Sequence, residues 1–199
     1  DAWLDTYDRY AGNVGLPPRD ATVVAIQNGG GIRDNGGNFV PGNGQPGVIS
    51  RLDLLNMLPF DNTIVVVPGV SPAELKQILE RSAATVPGQG GQFLQVAGVA
   101  VTCDPSLPAN VTLTDGTITA AGERVREVAL ADGTTIVSSG AVQPGAPDVS
   151  IVTNNFTAAG GDNYPTLAGK PRITLRNGAD LAIPYELPVR EYLGSFPVG

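Results

Sequence analysis

The chain has 199 residues, with 12 Lys plus Arg against 19 Asp plus Glu and a formal charge of −7. That length suits one domain with a sizeable core, and the acidic balance argues against DNA or RNA as a partner. Histidine is absent and cysteine occurs once, which excludes histidine-dependent catalysis, an internal disulfide and a zinc cluster within this chain. Charged residues make up only 16 % and mean hydropathy is +0.05, too apolar for a disordered chain. No apolar run approaches the roughly 18–20 residues of a membrane span.

The chain opens on Trp3, Leu4, Tyr7 and Tyr10 at helical spacing, which predicts a helix from the first residues, as expected of a chain cut or processed from a longer one. Ala21 to Gln27 is a β-rich run ending in Asn28-Gly29-Gly30-Gly31, a buried strand entering a tight loop. The stretch from Asp34 to Gly47 is dense in Gly, Asn and Pro and is expected to be a surface loop at the mouth of a site. Ser50 caps a helix carrying Leu52, Leu54, Leu55 and Leu58, which Pro59 stops. Thr63 to Val67 is a predicted strand, and Ser71-Pro72-Ala73-Glu74 opens a helix with Leu75, Ile78 and Leu79 inward, because it combines a capping Ser, an early Pro and a Glu at the third position. Strands are predicted at Val99 to Cys103, Val111 to Thr114 and Arg126 to Leu130, with turns at Asp115-Gly116 and Asp132-Gly133. Cys103 therefore reads as a strand residue rather than a nucleophile. A strand at Ser150 to Thr153 precedes a loop from Asn154 to Tyr164, and a weak helix is expected over Pro184 to Leu193 with Pro188 inside it. The pattern is one mixed α/β domain.

Three segments bring chemistry to the end of a regular element. In Asn28-Gly29-Gly30-Gly31-Ile32-Arg33 the glycines admit close backbone approach and Arg33 offers a charged fork to a phosphate or carboxylate; a plain turn with a solvated Arg is the ordinary alternative. The run lacks the frames of a P-loop and of a dinucleotide fingerprint. Phe60 follows a helix stop and Phe156 precedes Gly160-Gly161-Asp162; a ring at such a boundary can face a cleft, but a plain core phenylalanine is the more frequent outcome. Two rings, one carboxylate, one Arg and one Asn together would make a pocket for a nucleoside monophosphate, the base stacked between rings and the ribose diol on the carboxylate.

Taken jointly, NGGGIR at Asn28 to Arg33, LPFDN at Leu58 to Asn62, GQFLQVAG at Gly91 to Gly98 and NNFTAAGGDNYP at Asn154 to Pro165 resemble the C-terminal, substrate-binding domain of the 5′-nucleotidase family, which includes UDP-sugar hydrolases and ecto-5′-nucleotidases. The resemblance implies an α/β domain with a mixed sheet. It places Phe60 and Phe156 on either side of the base, Asp162 on the ribose hydroxyls, Asn28 on the base, Arg33 on the phosphate, and Gly30 and Gly31 as backbone contacts. Phe93 and Tyr164 fall in the same motifs and are expected to pack around the pocket. The family's further arginine ahead of the NGGGIR run has no match. The resemblance assigns hydrolysis to a separate N-terminal metallophosphoesterase domain with two divalent metals, of which nothing is present here, so no catalytic residue and no cofactor are expected in this chain. Its expected partners are a nucleoside monophosphate or related nucleotide and that N-terminal domain, at an extracellular or periplasmic location. A UDP-sugar or cyclic-nucleotide substrate, or a stand-alone binding module, remain open alternatives.

Overall fold

The structure, a computed structural model, describes residues 1–33 and 49–196; the glycine-rich segment 34–47 lies outside them. In chain order the elements are α1 (Ala2–Tyr10), β1 (Val23–Asn28), α2 (Arg51–Met57), β2 (Ile64–Val70), α3 (Pro72–Ala83), β3 (Leu94–Ala97), β4 (Val99–Cys103), β5 (Val111–Thr112), β6 (Ile118–Ala120), β7 (Val125–Leu130), β8 (Thr135–Ser138), β9 (Ala141–Val142), β10 (Val149–Asn154), α4 (Asn155–Ala158), α5 (Pro165–Ala168), β11 (Ile173–Thr174) and α6 (Leu187–Gly194).

A mixed sheet in the order β11-β2-β10-β1-β3 forms the middle layer. Its central pair, β1 and β10, is parallel, and the other neighbours are antiparallel. The inner strands send alternate side chains to opposite faces, as the pleat requires. Val24, Ile26, Val65, Val67 and Ile151 join Leu75, Ile78 and Leu79 of α3 and Val125, Val128, Ile136 and Val137 of a second sheet. Val23, Ala25, Ile64, Val66 and Val152 join Trp3, Leu4 and Tyr7 of α1 with Ile183 and Tyr185. Burial on both faces explains why these strands read as unbroken apolar runs rather than alternating ones.

The second sheet is antiparallel in the order β4-β7-β8-β9, with a β5-β6 hairpin beside it. Both Asp-Gly pairs make the expected turns, with the Thr117 and Thr134 amides donating to Asp115 and Asp132 at 2.9 Å. Glu80 of α3, 1 % exposed, ties that helix to the second sheet: its carboxylate accepts from the backbone N–H groups of Arg124 at 2.9 Å and Val125 at 3.0 Å and from Lys76 Nζ at 2.9 Å. Arg124 in turn donates to the carbonyls of Ala83, Ala84 and Val86, satisfying the orphaned end of α3. Cys103, half-buried on β4, has its thiol pushed up by burial and then by Glu80, against the opposing pull of Arg124.

The caps behave as their local chemistry demands. Ser50 with Asp53 and Ser71 with Glu74 both form reciprocal capping boxes. Leu54 and Leu58 of the α2 segment are buried, whereas Leu52 and Leu55 face solvent. Two expectations are corrected. The segment after β10 is not all loop, because the Asn154 side chain accepts from the Thr157 amide at 2.8 Å and starts the short helix α4. Pro188 does not weaken the last helix, because it sits in the first turn of α6, where its missing N–H costs nothing.

Candidate functional site

Strand direction decides where polar residues gather. Parallel β1 and β10 finish at the same edge of the sheet, with Asn28 and Asn154 as their last residues. The antiparallel neighbours begin there: Ile64 of β2 pairs with Asn154, and Leu94 of β3 with Asn28. The segments that follow β1 and β10 and those that precede β2 and β3 are therefore delivered to one edge, the position where open α/β sheets hold ligands.

At that edge Gly29–Gly31 form a single 3₁₀ turn. It is held by Gly29 N–H to the Phe93 carbonyl and Gly30 N–H to the Gly91 carbonyl, both 2.7 Å. Tyr185 donates its hydroxyl to the Gly31 carbonyl at 2.7 Å and its amide to Asn62 O at 3.0 Å, bracing two loops at once. A Cβ on Gly31 would lie 2.3 Å from Gln27 Nε2 and 2.9 Å from Asn28 Oδ1, so only glycine allows the turn to pack on the amides beneath it. Asn28 is 3 % exposed, and its Oδ1 accepts from Asn154 Nδ2 at 3.0 Å, Gln27 Nε2 at 3.2 Å and Thr157 Oγ1 at 3.2 Å. Three donors on the oxygen fix which way the amide faces. Its Nδ2 then donates to Asp162 Oδ2 at 2.7 Å, a charge-assisted bond that anchors the carboxylate.

Asp162 and Asn163 both have left-handed backbone, with φ of 55° and 60°. Such a conformation costs about 1–2 kcal/mol per L-residue, somewhat less for Asp and Asn, and persists only where neighbours impose it. Here the Asn28 amide holds the side chain. The Arg81 guanidinium of α3 holds the main chain, donating from Nε at 3.2 Å and Nη2 at 3.1 Å to the Asp162 carbonyl. Tyr164, buried behind this loop, donates its hydroxyl to the Gln92 carbonyl, and burial pushes its phenol far above the ordinary range.

Phe60 and Phe156 are 43 % and 45 % exposed, so neither ring is a core residue. Their spacing is set by Asn155, whose amide donates to Thr63 O at 2.9 Å and whose Oδ1 accepts from Thr63 N–H at 3.0 Å. Gly161 passes so close beneath Phe156 that a Cβ there would meet the ring at 2.5 Å. The Arg33 guanidinium lies 5.2 Å from the Phe60 ring centre, within cation–π range, and its backbone N–H is tied to Met57 O at 2.7 Å.

These residues enclose one cavity of about 340 Å³ lined by Asn28, Gly30, Gly31, Arg33, Phe60, Asp61, Asn62, Phe156 and Asp162, within the roughly 300–1,000 Å³ of small-molecule sites. The structure thus brings together all seven residues singled out in the sequence. It adds Asp61 and Asn62, which lie in the LPFDN run, and the supporting shell of Gln27, Asn154, Thr157, Tyr185 and Arg81, which no local signal distinguishes from ordinary strand, loop and helix residues. Tyr164 packs behind the site as expected. Phe93 does not: it is 41 % exposed and lines a neighbouring cavity with Gly29, Pro87 and Gly91. Among the described residues no group of three or more His, Cys, Asp or Glu is placed to hold a metal ion, and no helix is long and apolar enough to cross a membrane.

With this geometry in hand, the chain can be placed among known proteins. Residues 4–169 match the model of the 5′-nucleotidase C-terminal domain, and the chain belongs to that family. A 5′-nucleotidase precursor of Thermus thermophilus, of known structure, is 26 % identical, with a TM-score of 0.63 over 96 % of this chain and 31 % of that one. The trifunctional nucleotide phosphoesterase protein YfkN of Bacillus subtilis (strain 168) is 33 % identical over 142 residues, 71 % of this chain and 8 % of its own length. A probable 5′-nucleotidase of Treponema pallidum (strain Nichols) is 46 % identical over 76 residues, 37 % of this chain and 11 % of its own length. The chain therefore spans about a tenth of these two curated relatives and about a third of the Thermus structure.

Proposed function

We propose that this chain is the nucleotide-recognition part of a 5′-nucleotidase-type phosphoester hydrolase, binding base and ribose while a metallophosphoesterase domain cleaves the phosphate ester. One observation carries the reading: two half-exposed phenylalanine rings, a guanidinium and an anchored carboxylate line a single cavity at the sheet edge. A base entering between Phe60 and Phe156 gains stacking at about 1–3 kcal/mol. The Asp162 carboxylate, with one oxygen on Asn28, accepts from the ribose diol, and Arg33 pairs with the phosphate. Asn28, assigned to the base by family resemblance, serves here as the anchor of Asp162 as well as part of the cavity wall. Gly30 and Gly31 bring the backbone within reach of the ligand.

The donors of this cavity do not fit a two-metal centre, since they comprise two carboxylates, two amides and a guanidinium without an imidazole. The two divalent metals and the bond cleavage belong, in this reading, to the N-terminal domain, and this chain's contribution is to hold the phosphate in line for attack. The precursor form of the Thermus relative supports an extracellular or periplasmic site of action.

The test sets Arg33→Ala and Asp162→Ala against AMP, adenosine and 2′,3′-dideoxyadenosine in a calorimetric titration. Loss of Arg33 is expected to cost AMP about 1.5–3 kcal/mol more than adenosine, with a gap that shrinks as salt rises. Loss of Asp162 is expected to weaken adenosine while leaving the dideoxynucleoside unchanged. Equal weakening of all three ligands by both variants, or none, contradicts the assignment.

A further inference from the structure

Arg81 lies outside the cavity wall, on α3, yet its guanidinium is the sole side chain that grips the Asp162 carbonyl among the described residues. It is half-buried and forms no ion pair among the described residues, so charge neutralisation does not explain its place. Its neighbours on the helix are committed in other directions. Glu80 accepts from the amides of Arg124 and Val125 at the start of β7, and Ser82 Oγ accepts from the Leu94 amide of β3 at 2.9 Å. Successive helical residues project about 100° apart, so Arg81 alone of these three reaches the loop after α4.

The consequence of that reach is conformational. Two forked N–H groups on one carbonyl fix the orientation of the peptide after Asp162, which in turn holds Asp162 and Asn163 in left-handed backbone with φ of 55° and 60°. In that conformation the carboxylate meets Asn28 Nδ2 at 2.7 Å and lines the cavity. Released from the fork, the carbonyl is free to rotate and Asp162 relaxes toward the ordinary negative-φ regions, carrying its carboxylate off the cavity wall. We propose that Arg81 is a positioning residue that sets ribose selectivity, by locking the backbone of Asp162 so that its carboxylate faces the ligand diol. The inference rests on the nucleotide reading above and adds a residue that touches no ligand.

The experiment uses the full 199-residue chain and reads the ratio of dissociation constants for 2′,3′-dideoxyadenosine and adenosine, with a thermal melt of each variant. The wild-type chain is expected to favour adenosine by about tenfold or more, the worth of hydrogen bonds to a charged group. Asp162→Ala is the control: if it leaves the ratio at the wild-type value, the ribose assignment itself fails. With that control abolishing the preference, Arg81→Ala is expected to lower the ratio toward one while the dideoxynucleoside constant and the extra affinity for AMP stay near wild type. Arg81→Lys, which offers one ammonium in place of the fork, is expected to recover part of the preference. A folded Arg81→Ala chain with the wild-type ratio overturns the proposal, as does equal weakening of both nucleosides. If Arg81→Ala does not fold, Arg81→Lys decides: a reduced ratio in the folded Lys variant supports the proposal, and a wild-type ratio makes Arg81 a structural residue only.

Discussion

Two buried polar networks organise this protein, and they differ in whether they close. At the junction of α3 with the second sheet, the Glu80 carboxylate takes up Lys76 and the amides of Arg124 and Val125, and the Arg124 side chain donates to carbonyls at and just beyond the end of α3 and to the Leu107 carbonyl. Every named group there is answered by another part of the chain. At the sheet edge, Gln27, Asn28, Asn154 and Thr157 satisfy one another, but the network ends on Asp162, which lines a cavity beside two half-exposed rings. A closed network converts buried polarity into a fixed joint, whereas an open one passes its rigidity to a group that lines a cavity. Preorganisation of the open end costs left-handed backbone at Asp162 and Asn163, the kind of strain that concentrates at functional sites.

The sharpest way to separate the two networks is to break the closed one. Glu80→Ala leaves the Arg124 and Val125 amides and the Lys76 ammonium without their acceptor, and a loss of about 3–5 kcal/mol in unfolding free energy is expected by urea titration. Under conditions where the variant is still folded, its adenosine affinity should match wild type. A stability loss confined to a few tenths of a kcal/mol would mean that the joint is redundant. The open end should show the opposite signature. Phe60→Ala and Phe156→Ala are each expected to weaken adenosine by about 1–3 kcal/mol, while stability changes by no more than about 0.5 kcal/mol, as for other exposed positions. Substitutions that instead lower the melting temperature and leave nucleoside binding intact would return the rings to the core.

The contrast also explains what could be read from the sequence. Ser50 with Asp53 and Ser71 with Glu74 are local devices, and the helices they open begin where the sequence places them. The central strands were legible because burial on both faces leaves unbroken apolar runs. Two-residue strands such as β9 and β11 were not, since their pairing depends on partners far along the chain. The helical turn α4 carries no periodic signal, because its strength lies in the Asn154 cap rather than in helix-forming residues. The seven cavity residues singled out lie in three of the four runs that carry the family resemblance, and no single spacing marks them. Their supports stayed hidden for a physical reason: the Asn28–Asp162 bond spans 134 positions and the Arg81–Asp162 contact 81, and nothing near Arg81 marks it apart from any helical arginine.

If AMP binds at the sheet edge, it meets the open network and leaves the closed one untouched, a difference that amide chemical-shift mapping of the chain titrated with AMP reads residue by residue. Saturable shifts are expected at Asn28 to Arg33, Phe60 to Asn62 and Phe156 to Asp162, with the amides of β4 and β7 to β9 unmoved. Absence of shifts along that sheet edge, or saturable shifts centred on the second sheet, would contradict it.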